Sequence, residues 1–314
     1  MKKLILFLAA AVVCFSAGAQ ITCGTINAGT TTVTFAEKSL KKKTLPGVFS
    51  VAFARQVRFS SGNLQYLPSS GTFIFAENQY DCLVNSAGNI NRESTRPTQT
   101  EWIDLFAWGC SGYNNRYPWW RNNLNFSTNY VSLNWGDRMT GTKANYDWGV
   151  YNAILNGGNV AGQWRTLTQE EWCYLLSGRT NAHKLRGKAY VNGVLCVILL
   201  PDGYDFSTGP YTESAWKTNF INKYNQTISL ANWTTLETKG AVALPAGGII
   251  VQDGSIYCED NNPSYGIGAY WSADLPYCFM IQLSNFSDYD YEIYWLDYKL
   301  PDYGCSVRLV QNLN

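Results

Sequence analysis

The sequence is short of charge, of histidine and, beyond its first twenty residues, of any long apolar run. Charged residues make up 15% of the 314-residue chain and balance to a net charge of +1. No overall basic field of the kind nucleic-acid binding needs is therefore present. His183 is the single histidine, and no Cys-x-x-Cys occurs, which excludes the usual Cys/His zinc patterns. Nucleophile-elbow, phosphate-loop and EF-hand motifs are all absent. After the leader, no stretch is long enough to span a bilayer.

Aromatics are as frequent as charges, at 15%, a balance that suits a surface working through stacking and hydrogen bonds. The first residues form a secretory signal. Lys2 and Lys3 supply the positive end, Leu4 to Phe15 the apolar segment, and Ala17-Gly18-Ala19 the cleavage site. Cleavage after Ala19 leaves Gln20 first and an exported chain. Lipid attachment wants a small residue before the cysteine, and Cys14 follows Val13 while Cys23 follows Thr22. Of nine cysteines, Cys23, Cys82, Cys110, Cys173, Cys196, Cys258, Cys278 and Cys305 remain after cleavage. An oxidising compartment allows pairing, but spacing does not reveal connectivity. The plainest reading is small buried residues with one or two bridges.

Three parts follow: a signal over 1–19, an extended lead-in over 20–45, and one mixed α+β domain over 46–314. The lead-in is Thr-rich, with a solvated Lys41-Lys42-Lys43 run, and Thr31 to Phe35 could add an edge strand. Val57-Arg58-Phe59 reads as a short strand, and Leu64–Tyr66 with Thr72–Phe75 as a hairpin around Pro68-Ser69-Ser70-Gly71. Tyr113 to Asp147 is a long irregular stretch, in which Trp119 and Trp120 suit core packing and ligand contact equally. Thr168 and Glu171 form a capping box opening a helix, with Trp172, Leu175 and Leu176 on its apolar face and Gly178 near its end. Trp164, Trp172 and Leu175 are expected in the core. Asn192-Gly193 turns a hairpin over Ala189 to Leu200. Two more helices are expected, from Thr212 to Tyr224 with Trp216 and Phe220 inward, and from Ser229 to Lys239 with Trp233 and Leu236 inward.

The C-terminal stretch 270–310 is different. Ala269–Ser272 and Ser306–Val310 look like core strands, and Phe279, Ile281, Leu283, Val307 and Leu309 alternate as buried positions. Between them tyrosine and aspartate interleave with only Lys299 as a base. Tyrosine gives rigid contact area with a polar tip, and aspartate, asparagine and serine add hydrogen bonds. Residues 274–303 are therefore expected to form a display surface on one exposed face. The candidate ligand-binding residues are Asp274, Tyr277, Asn285, Phe286, Asp288, Tyr289, Asp290, Tyr291, Tyr294, Trp295, Asp297, Tyr298 and Tyr303.

A set of phrases along the chain resembles a known family. Phe49-Ser50 with Val57–Tyr66, Trp102–Phe106, Trp164–Thr168 with Glu171-Trp172, and Leu199-Leu200-Pro201-Asp202 are four of them. Gly240-Ala241-Val242 with Leu244-Pro245-Ala246, Tyr270-Trp271-Ser272 and Ser306–Val310 complete the set. Together, over about residues 46–310, they resemble exported gut-bacterial proteins of the C-type lectin-like fold. That group is related to the formylglycine-generating, sulfatase-modifying family and the Fibrobacter major paralogous (FISUMP) domain. The resemblance implies an irregular, Gly- and aromatic-rich α+β fold. Some proteins of this fold are variable proteins of diversity-generating retroelements, in which adenine-directed mutagenesis rewrites a C-terminal segment. Rewritten Asn codons yield Tyr, Asp and Ser but not Glu, Lys, Gln, Met or Trp. Met280, Gln282, Glu292, Trp295 and Lys299 would then be fixed positions. The catalytic branch of the family uses copper at a paired-Cys motif, and here Cys278 and Cys305 are not in a Cys-x4-Cys arrangement.

No catalytic residue and no metal-binding residue is assigned from the sequence. Glu171 is accounted for by capping, which leaves Glu170 on a solvated turn, and His183 reads as a surface residue. No cofactor is expected; Asp253, Glu259, Asp260 and Asn261 make an acidic loop that could take Ca²⁺ through oxygen ligands. Two functions stay open. One is an exported binding protein that recognises an extracellular protein or glycan through residues 274–303, with no nucleic acid and no transmembrane segment. The other is an enzyme related to the formylglycine-generating oxidases.

Overall fold

A computed structural model describes residues 25–28, 31–34, 44–83, 102–118, 136–223, 226–251, 256–257, 267–275, 277–282, 294–298 and 303–313. For 25–28, 31–34, 256, 280, 282 and 294–298 it describes the backbone alone. The chain forms two compact units, Met1–Leu40 and Lys41–Asn314. In the first, β1 (Thr25–Ala28) and β2 (Thr31–Thr34) pair antiparallel. The lead-in is thus folded back on itself there, and β2 pairs with its own neighbour, not with the edge of a larger sheet.

The second unit is mixed α+β, mostly short sheets. β3 (Phe49–Ala52) and β4 (Arg55–Phe59) form a hairpin, followed by β5 (Leu64–Leu67) and β6 (Thr72–Phe75) as a second one. Helix α1 (Trp148–Tyr151) follows, with the Asp147 side chain accepting from the Gly149 N–H at its start. Next comes β7 (Arg165–Thr166), which leads into α2 (Gln169–Cys173). The Thr168–Glu171 capping box is formed in both directions, and Trp172 and Leu175 are fully buried, with Trp164 1% exposed. Strands β8 (Arg186–Val191) and β9 (Val194–Leu199) turn at Asn192 (φ 51°) and Gly193 (φ 79°). Two positive φ values in succession are what a type I′ hairpin turn demands. Helix α3 (Glu213–Trp216) is capped by Thr212; β10 is Thr227–Ile228; helix α4 (Leu230–Thr238) is capped by Ser229 and buries Trp233 and Leu236. Both α2 and α3 run on into π turns, Tyr174–Gly178 and Lys217–Ile221, where the sequence reads as continuous α-helix.

The remaining strands are β11 (Val242–Pro245), β12 (Ile249–Ile250), β13 (Ile256–Tyr257), β14 (Ile267–Trp271), β15 (Tyr277–Gln282), β16 (Tyr294–Tyr298) and β17 (Leu309–Asn312). The sheets have the orders β10-β8-β9-β11, β3-β4-β17-β7 and β14-β15-β16, with β5-β6 and β12-β13 as pairs. No helix among the described residues is long and apolar enough to cross a membrane.

Period-two alternation explains how one sheet serves two cores. On β9, Leu195, Val197 and Leu199 enter one cluster with Phe49, Phe59 and Trp172. Their neighbours Cys196, Ile198 and Leu200 enter another with Trp216, Phe220 and Trp233. A third core gathers Trp108, Trp148, Trp164 and Trp271. Close backbone approach also fixes residue type: a Cβ at Gly47 would stand 2.2 Å from the Gly240 carbonyl oxygen, and Gly240 itself has φ 93°.

Candidate functional site

The frame of the C-terminal stretch divides two of these cores. From β14, Ala269 and Trp271 join the tryptophan-rich cluster, and Tyr270 between them joins the cluster around Trp172. On β15, Cys278 goes to the first and Phe279 and Ile281 to the second. Leu309 and Val310 of β17 divide the same way. Trp172 stacks on Phe279 with ring centres 5.0 Å apart. The sequence expectations for Phe279, Ile281, Val307 and Leu309 are met, and Leu283 lies outside the described residues.

Several buried polar groups are matched across the frame, while Arg308 Nε and Trp172 Nε1 make no hydrogen bond among the described residues. Trp271 donates its indole N–H to the Phe106 carbonyl (2.6 Å), and Trp108 donates to the Ser272 carbonyl (3.0 Å). Tyr270 donates to the Pro245 carbonyl (2.9 Å) and accepts from Asn63 Nδ2 (3.0 Å). Burial pushes the Tyr270 hydroxyl pKa well above its ordinary value. Arg308 is 1% exposed, and no carboxylate pairs with it among the described residues. It donates instead to Gln79 Oε1 (2.7 Å), Asn63 Oδ1 (3.3 Å) and the Ala243 carbonyl (3.4 Å). Loss of hydration pulls its pKa down to about 10.

Asp274 differs from expectation. It is 3% exposed, so it belongs to the frame and not to an exposed loop. Its carboxylate accepts the Gln169 N–H at 2.6 Å and pairs with Arg138 Nε at 2.8 Å. Arg138 in turn holds Glu170 at 2.6 Å. Burial raises the Asp274 pKa, against the opposing pull of the Gln169 N–H and of Arg138. The turn from β14 to β15 is fixed by Ser272, whose hydroxyl lies 2.8 Å from the carbonyl oxygens of both Asp274 and Tyr277. Tyr277 and Tyr303 are half-buried, and Tyr303 packs against the tryptophan-rich core.

The other candidates lie further out in the sheet or outside the described residues. Tyr294, Trp295, Asp297 and Tyr298 fall on β16, the edge strand of its sheet among the described residues. Tyr294 pairs with Ile281, Trp295 with Met280, Asp297 with Cys278 and Tyr298 with Tyr277. Asn285, Phe286, Asp288, Tyr289, Asp290 and Tyr291 lie outside the described residues, as do Trp119 and Trp120. The acidic positions Asp253, Glu259, Asp260 and Asn261 do so as well. His183 is exposed.

Two cysteines bear on the oxidase reading. Cys278 lies opposite Trp271 on one side of β14, and Ser306 bridges Tyr270 on the other. Two strand spacings of ~4.8 Å put the backbones of Cys278 and Cys305 about 10 Å apart, beyond the ~7 Å span of a disulfide. Both side chains are fully buried.

Two buried acids carry no sequence signal. Asp104 accepts the Leu83 N–H at 2.7 Å, and burial raises its pKa to about 7. Asp147 accepts from Gly149 and Thr166 N–H groups, and burial raises its pKa to about 6 despite Arg165 nearby. Comparison of the chain with known protein families, with characterised proteins and with solved structures gives no match.

Proposed function

We propose that the chain is an exported ligand-binding protein of the C-type lectin-like fold that presents a Tyr/Asp-rich C-terminal surface to an extracellular protein or glycan. The observation that carries this reading is the position of β16. Among the described residues it is the edge strand of β14-β15-β16, while the stretches on either side of the display segment are committed to core. A binding surface wants rigid aromatic contacts at its centre and adaptable polar groups around them, and residues 285–298 supply both types. With Asp274 withdrawn into the frame, Asp288, Asp290, Asp297, Asp302 and Glu292 are answered in that stretch by Lys299 alone. Such a surface repels nucleic acid and favours a neutral glycan or a basic protein patch.

The test is binding of the purified mature chain to arrays of neutral glycans and of basic extracellular proteins. Replacing Tyr289, Tyr291 and Tyr298 by Ala should abolish binding at an unchanged melting temperature. If the triple variant unfolds, these tyrosines are core and the reading is wrong. Comparing close relatives over residues 270–310 tests diversification, through substitutions confined to adenine-containing template codons. No catalysis is assigned; stoichiometric copper on Cys278 or Cys305 with turnover of a Cys peptide would favour the oxidase reading instead.

A further inference from the structure

Away from the C-terminal stretch, a cleft of about 390 Å³ opens between the β3–β4 hairpin, the π turn after α2 and the segment 202–206. That volume is at the lower end of the ~300–1,000 Å³ typical of small-ligand sites. Its floor is built around Asp202, whose carboxylate accepts the Ser50 N–H at 2.6 Å and Arg179 Nη1 at 3.0 Å. Arg179 is 3% exposed. Its Nε donates to the Leu175 carbonyl at 2.8 Å, and its guanidinium lies 5.3 Å from the centre of the Phe49 ring. The floor is therefore rigid and its charge is cancelled from beneath. Across the mouth, Lys184 and Glu213 pair at 2.7 Å. Two positive and two negative groups, paired with each other, leave no net field to draw an ion.

What the cleft offers a ligand is uncharged. Tyr174, Tyr204 and Phe206 line it as aromatics, with Tyr204 set edge-on against Phe206 at 5.0 Å. The side chains of Thr180 and Asn181 also line it, and neither makes a hydrogen bond among the described residues. Asn181 holds φ 58°, a left-handed conformation that asparagine tolerates and that recurs where a loop is shaped for function. Gln56 adds an amide beyond its long contact to Ser50 Oγ at 3.5 Å. Amide and hydroxyl groups that both donate and accept, set beside aromatic rings, match ligands bearing many hydroxyls and apolar C–H faces.

We propose that this cleft is a second binding site, separate from the C-terminal surface, and that it takes a neutral mono- or disaccharide. The experiment is ligand-observed NMR titration of the mature chain with glucose, galactose, mannose, xylose, maltose and cellobiose. Glucuronate and glucosamine serve as charged comparators. At least one neutral sugar should bind saturably, and neither charged analogue should bind more tightly. The Thr180→Val/Asn181→Gly double variant suits the positive φ of position 181 and should weaken binding about tenfold or more, since it removes the hydroxyl and amide that line the cleft. Tyr174→Ala removes an aromatic lining residue instead of a polar one and should also weaken it, so the two variants check each other. The Tyr289/Tyr291/Tyr298 triple variant should leave sugar binding in this cleft intact. The proposal is overturned if no neutral sugar binds, if both cleft variants bind as before, if a charged analogue binds more tightly, or if the C-terminal triple removes the binding.

Discussion

The hairpin β8–β9 turns in two residues, Asn192 and Gly193, and its strands are buried along almost their whole length. The hairpin β15–β16 joins strands of similar length, Tyr277–Gln282 and Tyr294–Tyr298, through residues 283–293. The first is as short as backbone geometry permits and sits in the interior of a four-stranded sheet. The second has β15 committed to core and β16 at an edge among the described residues. A chain that closes one hairpin so tightly has no folding reason to lengthen the other. Long connections held on a rigid scaffold are where binding residues concentrate.

The largest effect should come from removing what joins the open hairpin to the frame. Trp172→Ala leaves a cavity against Phe59, Tyr270 and Phe279 and should cost about 3–5 kcal/mol in chemical denaturation. Binding at the C-terminal surface should fall with it, because Phe279 anchors β15. A loss under about 1 kcal/mol would mean that the open hairpin stands independently of the frame.

Next in size is a pH effect seated in the buried frame, outside both hairpins. Burial raises the folded pKa of Asp104 to about 7 and of Asp147 to about 6, above the unfolded value near 3.9. Between those limits the folded state binds more protons, so these groups make stability fall as pH rises. The penalty is complete above about pH 7 and absent below about pH 4. Asp104→Asn should remove about 2–3 kcal/mol of the difference between pH 8 and pH 5, read from denaturation midpoints. An unchanged pH slope would refute the buried, neutral Asp104.

The direct test of the comparison is to lengthen both connections. Inserting Gly-Ser-Gly between Asn192 and Gly193 destroys the type I′ turn and should cost about 1–2 kcal/mol. The same insertion near Asn285 should cost less than about 0.6 kcal/mol, since closure entropy grows slowly with length. Equal costs would erase the distinction. The smallest effect on stability, within about 0.5 kcal/mol per position, belongs to Ala at Tyr289, Tyr291 and Tyr298, with loss of ligand as its only consequence.

Local chemistry made much of the frame legible. Thr168 and Glu171 predict their own helix start, Asn192-Gly193 its own turn, and Ser229 with Gly240 the limits of α4, because each signal lies within a few residues of its effect. The π turns after Cys173 and Trp216 were not legible. A wider turn is selected by packing, as between Trp216 and Phe220 at 5.0 Å, and apolar residues every three or four positions suit either geometry. Asp274 was misread for a related reason. Among tyrosines and aspartates it resembles its exposed neighbours, but the Gln169 N–H that holds it is 105 positions away. The cleft escaped for the same cause: Ser50 and Asp202 are 152 positions apart, and nothing near either residue announces the other. The display stretch itself was legible only as composition.

The place of β17 has a consequence for the order of events during synthesis. It lies between β4 and β7, inside its sheet, and Arg308 just before it reaches Asn63, 245 positions earlier. Strands β4 and β7 therefore wait for a neighbour made much later than either. Until residues 309–312 arrive, β4 and β7 lack the neighbour that joins them, and two apolar clusters stay open along that seam. Contacts of such range slow the folding step and leave the nascent chain reliant on protection from aggregation. A chain built this way keeps its central seam open until β17 has emerged.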